Sequence, residues 1–151
     1  MPTTIGFNHV ATVTADADRL VAFYAKAFGA EVTFEMAEEE GHPRLVILDL
    51  GGGAALNVFE QSGDDVLIGD RRRPGGRGAI DHFGLAVDSL ASLREVKARL
   101  VGLGADIGEI QRLGSEWSLF FRDPDGMELE VCCERAEGDP EVGHGQPVDG
   151  G

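Results

Sequence analysis

The chain is short of positive charge, of cysteine and of long apolar runs, and each shortage removes a class of function. Thirteen lysines and arginines stand against 27 acidic residues, a formal net charge of −14. Phosphate binding needs a basic surface, so nucleic acid is excluded as the main partner. The same imbalance favours solubility. No apolar stretch approaches the roughly 18–20 residues that span a bilayer, so no membrane partner is expected. The opening MPTTIGFNHV carries neither the charged nor the long apolar region of a secretory signal, and the default expectation is a cytoplasmic protein. The two cysteines, Cys132 and Cys133, are adjacent. Neighbours in a strand point to opposite faces, which argues against a disulfide between them. Without a Cys-x-x-Cys pair there is no structural zinc or redox motif, and both read as reduced, buried or half-buried thiols.

What is present is an ordinary globular mix, 42% hydrophobic and 26% charged over 151 residues, enough for one domain or two small modules sharing a core. The chain also repeats itself. NHVATVTADADRLVAFYAKAFGAEVTFEM (8–36) runs parallel to DHFGLAVDSLASLREVKARLVGLGADIGEI (81–110). Each begins with a polar residue and a histidine, continues as a short strand, passes an Asp/Ser capping signal into a helical pattern, and closes on Gly-Ala-acid. A period of half the chain, occurring twice, marks a duplicated module and not a solenoid. The first helix carries Leu20, Phe23, Tyr24 and Phe28 on one stripe, with Asp16 or Asp18 as cap and Gly29 as stop. The second carries Leu90, Leu93, Val96 or Lys97, and Leu100, with Ser89 as cap and Gly102 or Gly104 as stop.

Three strand-like runs follow each helix: 31–37, 44–50 and 54–60, then 106–112, 116–122 and 127–133. DPDG (123–126) is a strong turn signal between the last two. The expected fold is α+β, two tandem βαβββ modules whose curved mixed sheets surround a metal or substrate cavity. Residues 1–61 form the first module, 62–79 a Gly/Arg-rich linker and 80–135 the second module. The acidic, Gly-rich tail 136–151 is expected to be disordered. Arg71, Arg72, Arg73 and Arg77 read as a solvated linker, Glu38 to Glu40 as a solvated hairpin tip, and His42 as an exposed loop residue. His144, in the tail, is set aside as a ligand.

His9, Ala11 and Val13 share one face of the first strand; His82, Gly84 and Ala86 share one face of its duplicate. A histidine followed by small residues, at the same place in both modules, suggests two imidazoles projecting into a space left open. The last strand supplies a carboxylate. Met127, Leu129 and Val131 form its apolar face, with Glu128, Glu130 and Cys132 on the other. A carboxylate deep in a strand is costly unless paired or bound to a cation. Two imidazoles and one carboxylate make the facial triad that binds Fe(II) or a similar divalent ion and leaves positions open for water, substrate or dioxygen.

The paired βαβββ modules, the openings NHV and DHF, and the closing DPDGMELEV resemble the vicinal oxygen chelate superfamily, which includes glyoxalase I, bleomycin resistance proteins, extradiol dioxygenases, fosfomycin resistance transferases and methylmalonyl-CoA epimerase. The resemblance covers about residues 5–133. It implies His9, His82 and Glu130 as metal ligands for Fe(II), Mn(II), Ni(II) or Zn(II), and a small-molecule substrate chelated through two neighbouring oxygens. It also implies a homodimer, with the site within one chain or shared. Glyoxalase I-like members carry a fourth ligand, a glutamate, within the stretch that here reads ALNVFEQ; this chain has Asn57 there, and an asparagine cannot serve as a base. Glu60 points to the opposite face. Epimerase-type members tolerate an amide at this place, and dioxygenase-type members need only three protein ligands. Asn57, Phe59, Trp117 and Phe120 are the candidate pocket residues, the last two according to strand parity. The expected function is therefore a metalloenzyme with dioxygenase-like or lyase/isomerase chemistry. The alternatives are metal-independent sequestration of a cationic drug, as in bleomycin resistance, and an epimerase or lyase with Glu130 or Glu128 as catalytic base.

Overall fold

The computed structural model describes residue 1 and residues 7–40, 42–61 and 82–149. The linker 62–79 with its four arginines lies outside the described residues. The chain divides into two compact units, Met1–Arg71 and Arg72–Gly151, and each repeats strand, helix and three further strands, giving an α+β protein of two open mixed sheets.

In the first unit, β1 (His9–Thr14) leads to α1 (Ala17–Phe28), then β2 (Glu31–Met36), β3 (Arg44–Gly51) and β4 (Ala54–Glu60). The sheet order is β1-β4-β3-β2, with β1 parallel to β4 and the other pairs antiparallel. Asp16 caps α1 by accepting from the Arg19 N–H at 3.0 Å. Asp18 instead pairs with Arg44 Nη2 at 2.8 Å. The helix buries Leu20, Phe23, Tyr24 and Ala27, and the fully buried Leu48, Leu56 and Val58 lie in the sheet beside Val46. Each such aliphatic side chain contributes about 1.5–3 kcal/mol on burial. Glu60 accepts from the Ala17 N–H at 2.7 Å, a carboxylate at a helix N-terminus where unpaired N–H groups and the dipole favour it. Three successive glycines, Gly51 to Gly53, all at positive φ, turn β3 into β4; side chains are disfavoured there.

In the second unit, β5 (Phe83–Ala86) leads to α2 (Leu90–Gly102), β6 (Gln111–Leu113), β7 (Glu116–Arg122) and β8 (Glu128–Glu134), with sheet order β5-β8-β7-β6. Ser89 caps α2. Leu90, Leu93, Val96 and Leu100 are buried on it, and the sheet contributes Leu119, Phe121, Leu129, Val131 and Trp117. The run expected as a strand over 106–112 is shorter: only Gln111–Leu113 pair continuously, with an isolated bridge from Ile107 to Phe121. Gly108 interrupts the run, and strand interiors are weakened by glycine. In the DPDG turn, Asp123 is buried and accepts from the N–H groups of Asp125 and Met127 at 2.9 and 3.1 Å. This fixes how β8 enters the sheet.

The tail corrects the sequence. Residues 136–149 are not loose but strapped along β6. Val148 donates to Ile110 O at 2.8 Å, Arg112 to Gln146 O at 3.0 Å, and Gly145 to Arg112 O at 2.6 Å. Gln111 bridges Pro147, Arg94 holds Asp149 through two bonds of 2.6 and 3.0 Å, and the Trp117 indole donates to Asp139 at 2.8 Å. His144 accepts from the Gly114 N–H at 3.1 Å. Composition suggested disorder because the tail has few apolar residues. It docks because the open edge of β6 offers backbone partners and because Arg94, Arg112 and Trp117 satisfy its carboxylates and carbonyls.

These bonds give the tail a pH dependence. The Ala136 N–H and the Trp117 indole hold the Asp139 carboxyl below its ordinary 3.8, and Arg94 does the same for Asp149. Depressed carboxyls stabilise fully above their unfolded value and lose that contribution as pH falls through the folded one. Emission from Trp117, the single tryptophan, is expected to hold steady at neutral pH and change only below about pH 4. In Asp139→Asn the change should already be present at neutral pH. A transition centred above about pH 5 would contradict this assignment.

Candidate metal centre

Strand register decides which side chains share a face. In the second unit Gly84 pairs with Glu130 and Ala86 with Cys132. Across β8, Glu130 pairs with Phe120, Cys132 with Ser118 and Glu128 with Arg122. The face turned away from α2 thus carries Glu116, Ser118, Phe120, Arg122, Glu128, Glu130 and Cys132, with His82 just before β5. The bare Gly84 leaves open the space above it: a Cβ there would lie 3.8 Å from Cys132 Sγ and 3.9 Å from Glu130 Oε2.

His82 Nε2 lies 3.2 Å from Glu130 Oε2, and the Glu130 side chain is 17% exposed. The other oxygen, Oε1, accepts from Ser118 Oγ at 2.5 Å, and Ser118 is fully buried. The Phe120 ring meets the His82 ring edge-on, centroids 5.2 Å apart. One carboxylate oxygen is thereby fixed by a buried hydroxyl while the other turns to the imidazole. Two donors bound at about 2.1 Å and a right angle on one cation sit about 3.0 Å apart, so this spacing fits a pair of ligands. Glu116, Glu130 and Cys132 can also each offer one ligand atom, all within 4.8 Å of one another.

In the first unit the β1–β4 and β3–β4 registers place His9, Ala11, Val13, Ala55, Asn57, Phe59, Leu45 and Ile47 on the sheet face opposite α1. His9 is exposed, its Nδ1 2.8 Å from Asn8 Oδ1. The half-buried Asn57 amide has no hydrogen bond among the described residues and stands between Ala11 and Ile47. Glu60 faces α1, occupied by the helix terminus and by Arg44 at 3.4 Å. His42, expected to be exposed, is half-buried: its ring lies 6.1 Å from Phe59 and its Nδ1 2.6 Å from Pro43 O.

Of the aromatic candidates on β7, parity puts only Phe120 on the face of Glu130. Trp117 lies on the helix-covered face, fully buried, its ring under the Arg135 guanidinium at 5.2 Å, and is no pocket residue of this sheet. Glu128 lies on the Glu130 face, 3.9 Å from Arg122. Ser118, which sequence reasoning missed, had a signal: a lone hydroxyl inside the apolar run EWSLFF, at the same parity as Phe120.

The chain matches the Glyoxalase/Bleomycin resistance protein/Dioxygenase superfamily model over residues 6–131, and it belongs to that superfamily. Among solved structures it is similar to a glyoxylase/bleomycin resistance protein/dioxygenase domain from Frankia sp. EAN1pec, at 27% identity and TM-score 0.74, over 90% of this chain and 96% of that one. Lactoylglutathione lyase from Agrobacterium tumefaciens shares the fold at 23% identity and TM-score 0.60, over 87% of this chain and 96% of that one. So does a mutant of the fosfomycin resistance protein FosX from Listeria monocytogenes, complexed with Mn(II) and 1S,2S-dihydroxypropylphosphonic acid, at 17% identity and TM-score 0.64, over 85% and 92%. No curated protein matches the chain at a significant level.

The cysteines are poor nucleophiles. Burial, followed by the charges of Glu116 and Glu130, pushes the Cys132 thiol up to about 11, and burial raises Cys133 as well. The thiolate is the reactive form, so at pH 8 Cys132 should be alkylated about a hundredfold more slowly than an ordinary thiol. Iodoacetamide labelling of folded protein, followed by mass spectrometry, reads this directly; rapid labelling of Cys132 would contradict the environment described.

Proposed function

We propose that the protein is a metal-dependent enzyme acting on a small oxygenated metabolite, with His9, His82 and Glu130 holding one divalent cation of the Fe(II), Mn(II), Ni(II) or Zn(II) group. The observation that carries this is the 3.2 Å approach of His82 Nε2 to Glu130 Oε2, with the second carboxylate oxygen already held by Ser118. His9 is the third ligand by its matching place in the duplicated module, and the Mn(II) in the similar FosX structure supports a divalent ion. When bound, the cation supplies Lewis-acid polarisation of two neighbouring substrate oxygens.

The chain's own groups shape the rest. Ser118 fixes Glu130, and Phe120 fixes the plane of His82. Gly84 and Ala86 leave room above the strand. Asn57, with no partner in its own unit, orients substrate through its amide and cannot take a proton. That role falls to Glu128, on the Glu130 face with a side chain 40% exposed, so proton-transfer chemistry of the lyase or isomerase type proceeds through Glu128. Without a proton acceptor in the route, the same three ligands suit dioxygenase-like chemistry. We further propose a cytoplasmic protein and a homodimer, the latter tested by light scattering of the purified protein.

Metal affinity is the discriminating measurement. Protein purified without chelator is expected to carry a divalent ion in stoichiometric amount, lost in His9→Ala, His82→Ala and Glu130→Gln. Ser118→Ala should weaken metal binding about tenfold to a hundredfold, the usual cost of losing a group that orients a ligand. A metal-free protein that binds cationic glycopeptides tightly in EDTA would replace this function with drug sequestration. Metal content unchanged in all the variants would remove the proposed ligands.

A further inference from the structure

The docked tail does more than cover an edge. Between Phe120 and the strap lies a hollow of about 260 Å³ lined by Gly108, Glu109, Gln111, Phe120, Gly145 and Pro147. Two of those six residues belong to the tail. We infer that this hollow binds a single uncharged aromatic ring or short apolar group, with the C-terminal strap as its outer wall.

Four observations carry this. The volume exceeds the roughly 150 Å³ in which an apolar cavity holds benzene, yet falls short of the roughly 300–1,000 Å³ of sites for drug-sized molecules. The lining combines Phe120 and Pro147 with two glycines, residues suited to a flat apolar group. Its one ionisable member, Glu109, is engaged by Lys97 Nζ at 2.5 Å, which disfavours a charged occupant. Finally, Phe120 is shared: a residue that lines the hollow also sets its ring 5.2 Å from that of His82. Gly108 and Phe120 also border a smaller hollow of about 130 Å³ that contains Asp106, Arg122 and Glu128, so charged and apolar surfaces are segregated on either side of them.

Strand spacing sets the reach. Gln111 pairs with Ser118 and Ser118 with Cys132, so Gln111 and Glu130 are two strands and two residues apart, about 12 Å at about 4.8 Å per strand and about 3.3 Å per residue. If the reading of His82 and Glu130 as metal ligands holds, the substrate carries its chelating oxygens and an apolar group separated by about that distance. The hollow itself does not depend on that reading, and it is tested without metal.

The test is a titration of uniformly ¹⁵N-labelled protein with benzyl alcohol in EDTA, followed through backbone amide shifts. Saturable shifts are expected at Gly108, Gln111 and Gly145. Gly108→Leu fills the hollow: Gly108 has ordinary φ, and a Cβ there would meet only Phe120 O, at 3.8 Å. It should weaken binding about tenfold or more. Gly102→Leu, at a position with nothing within 4 Å of a Cβ, should leave the titration unchanged, as should Glu130→Gln. Absence of saturable shifts at these amides, or equal binding by Gly108→Leu, would overturn the proposal. Binding lost in Gly108→Leu, together with no metal found in protein purified without chelator, would leave the hollow standing and remove only the metal centre.

Discussion

A carboxylate set into the middle of a sheet is the constraint on which the second unit turns. Glu130 is bounded by strand neighbours on both sides, and an ionised group there is tolerable only if both oxygens are answered. Ser118 answers one and His82 the other. Charge-assisted hydrogen bonds are shorter and roughly twice as strong as neutral ones, and the Ser118 bond is short. Much around the pair follows from that need. Gly84 keeps the neighbouring strand bare where the carboxylate sits, Phe120 lies against the imidazole, and the apolar half of each strand is committed to α2 on the far side.

The duplication shows how one architecture serves two different ends. Both units use a capped helix to cover one sheet face, and in both the first strand is parallel to the last. The uncovered faces differ. The first is apolar around Asn57 and His9; the second is crowded with Glu116, Glu128, Glu130 and Cys132. Glu60 in β4 shows that a carboxylate near the equivalent strand's end can be purely architectural, since it faces the helix terminus. A parity change of one residue separates a capping role from an exposed one.

Much of this was legible in the sequence because period-two alternation and capping residues are local signals. The Ser89 cap, the choice between Asp16 and Asp18 for the first cap, the DPDG turn, the bounds of β4 and β7, and the common face of Glu128, Glu130 and Cys132 all follow from neighbours a few residues apart. What escaped was non-local. The tail's order depends on the β6 edge and on Arg94, Arg112 and Trp117, residues far from it in the chain, and no composition rule contains them. Trp117 and Phe120, three apart, cannot face the same way, and only the register with β8 says which one faces Glu130. Ser118 required knowing which carboxylate lay across from it.

The central proposal is that His82 and Glu130 are ligands of one divalent ion, with His9 as the second imidazole. X-ray absorption at the cobalt edge of Co(II)-loaded protein measures that most directly. The account predicts a shell of nitrogen and oxygen with the multiple scattering of two imidazoles, and no protein-bound cobalt in His82→Ala or His9→Ala. A shell containing sulfur would transfer the ion to Cys132 and its acidic neighbours, and a shell without imidazole would contradict the account outright.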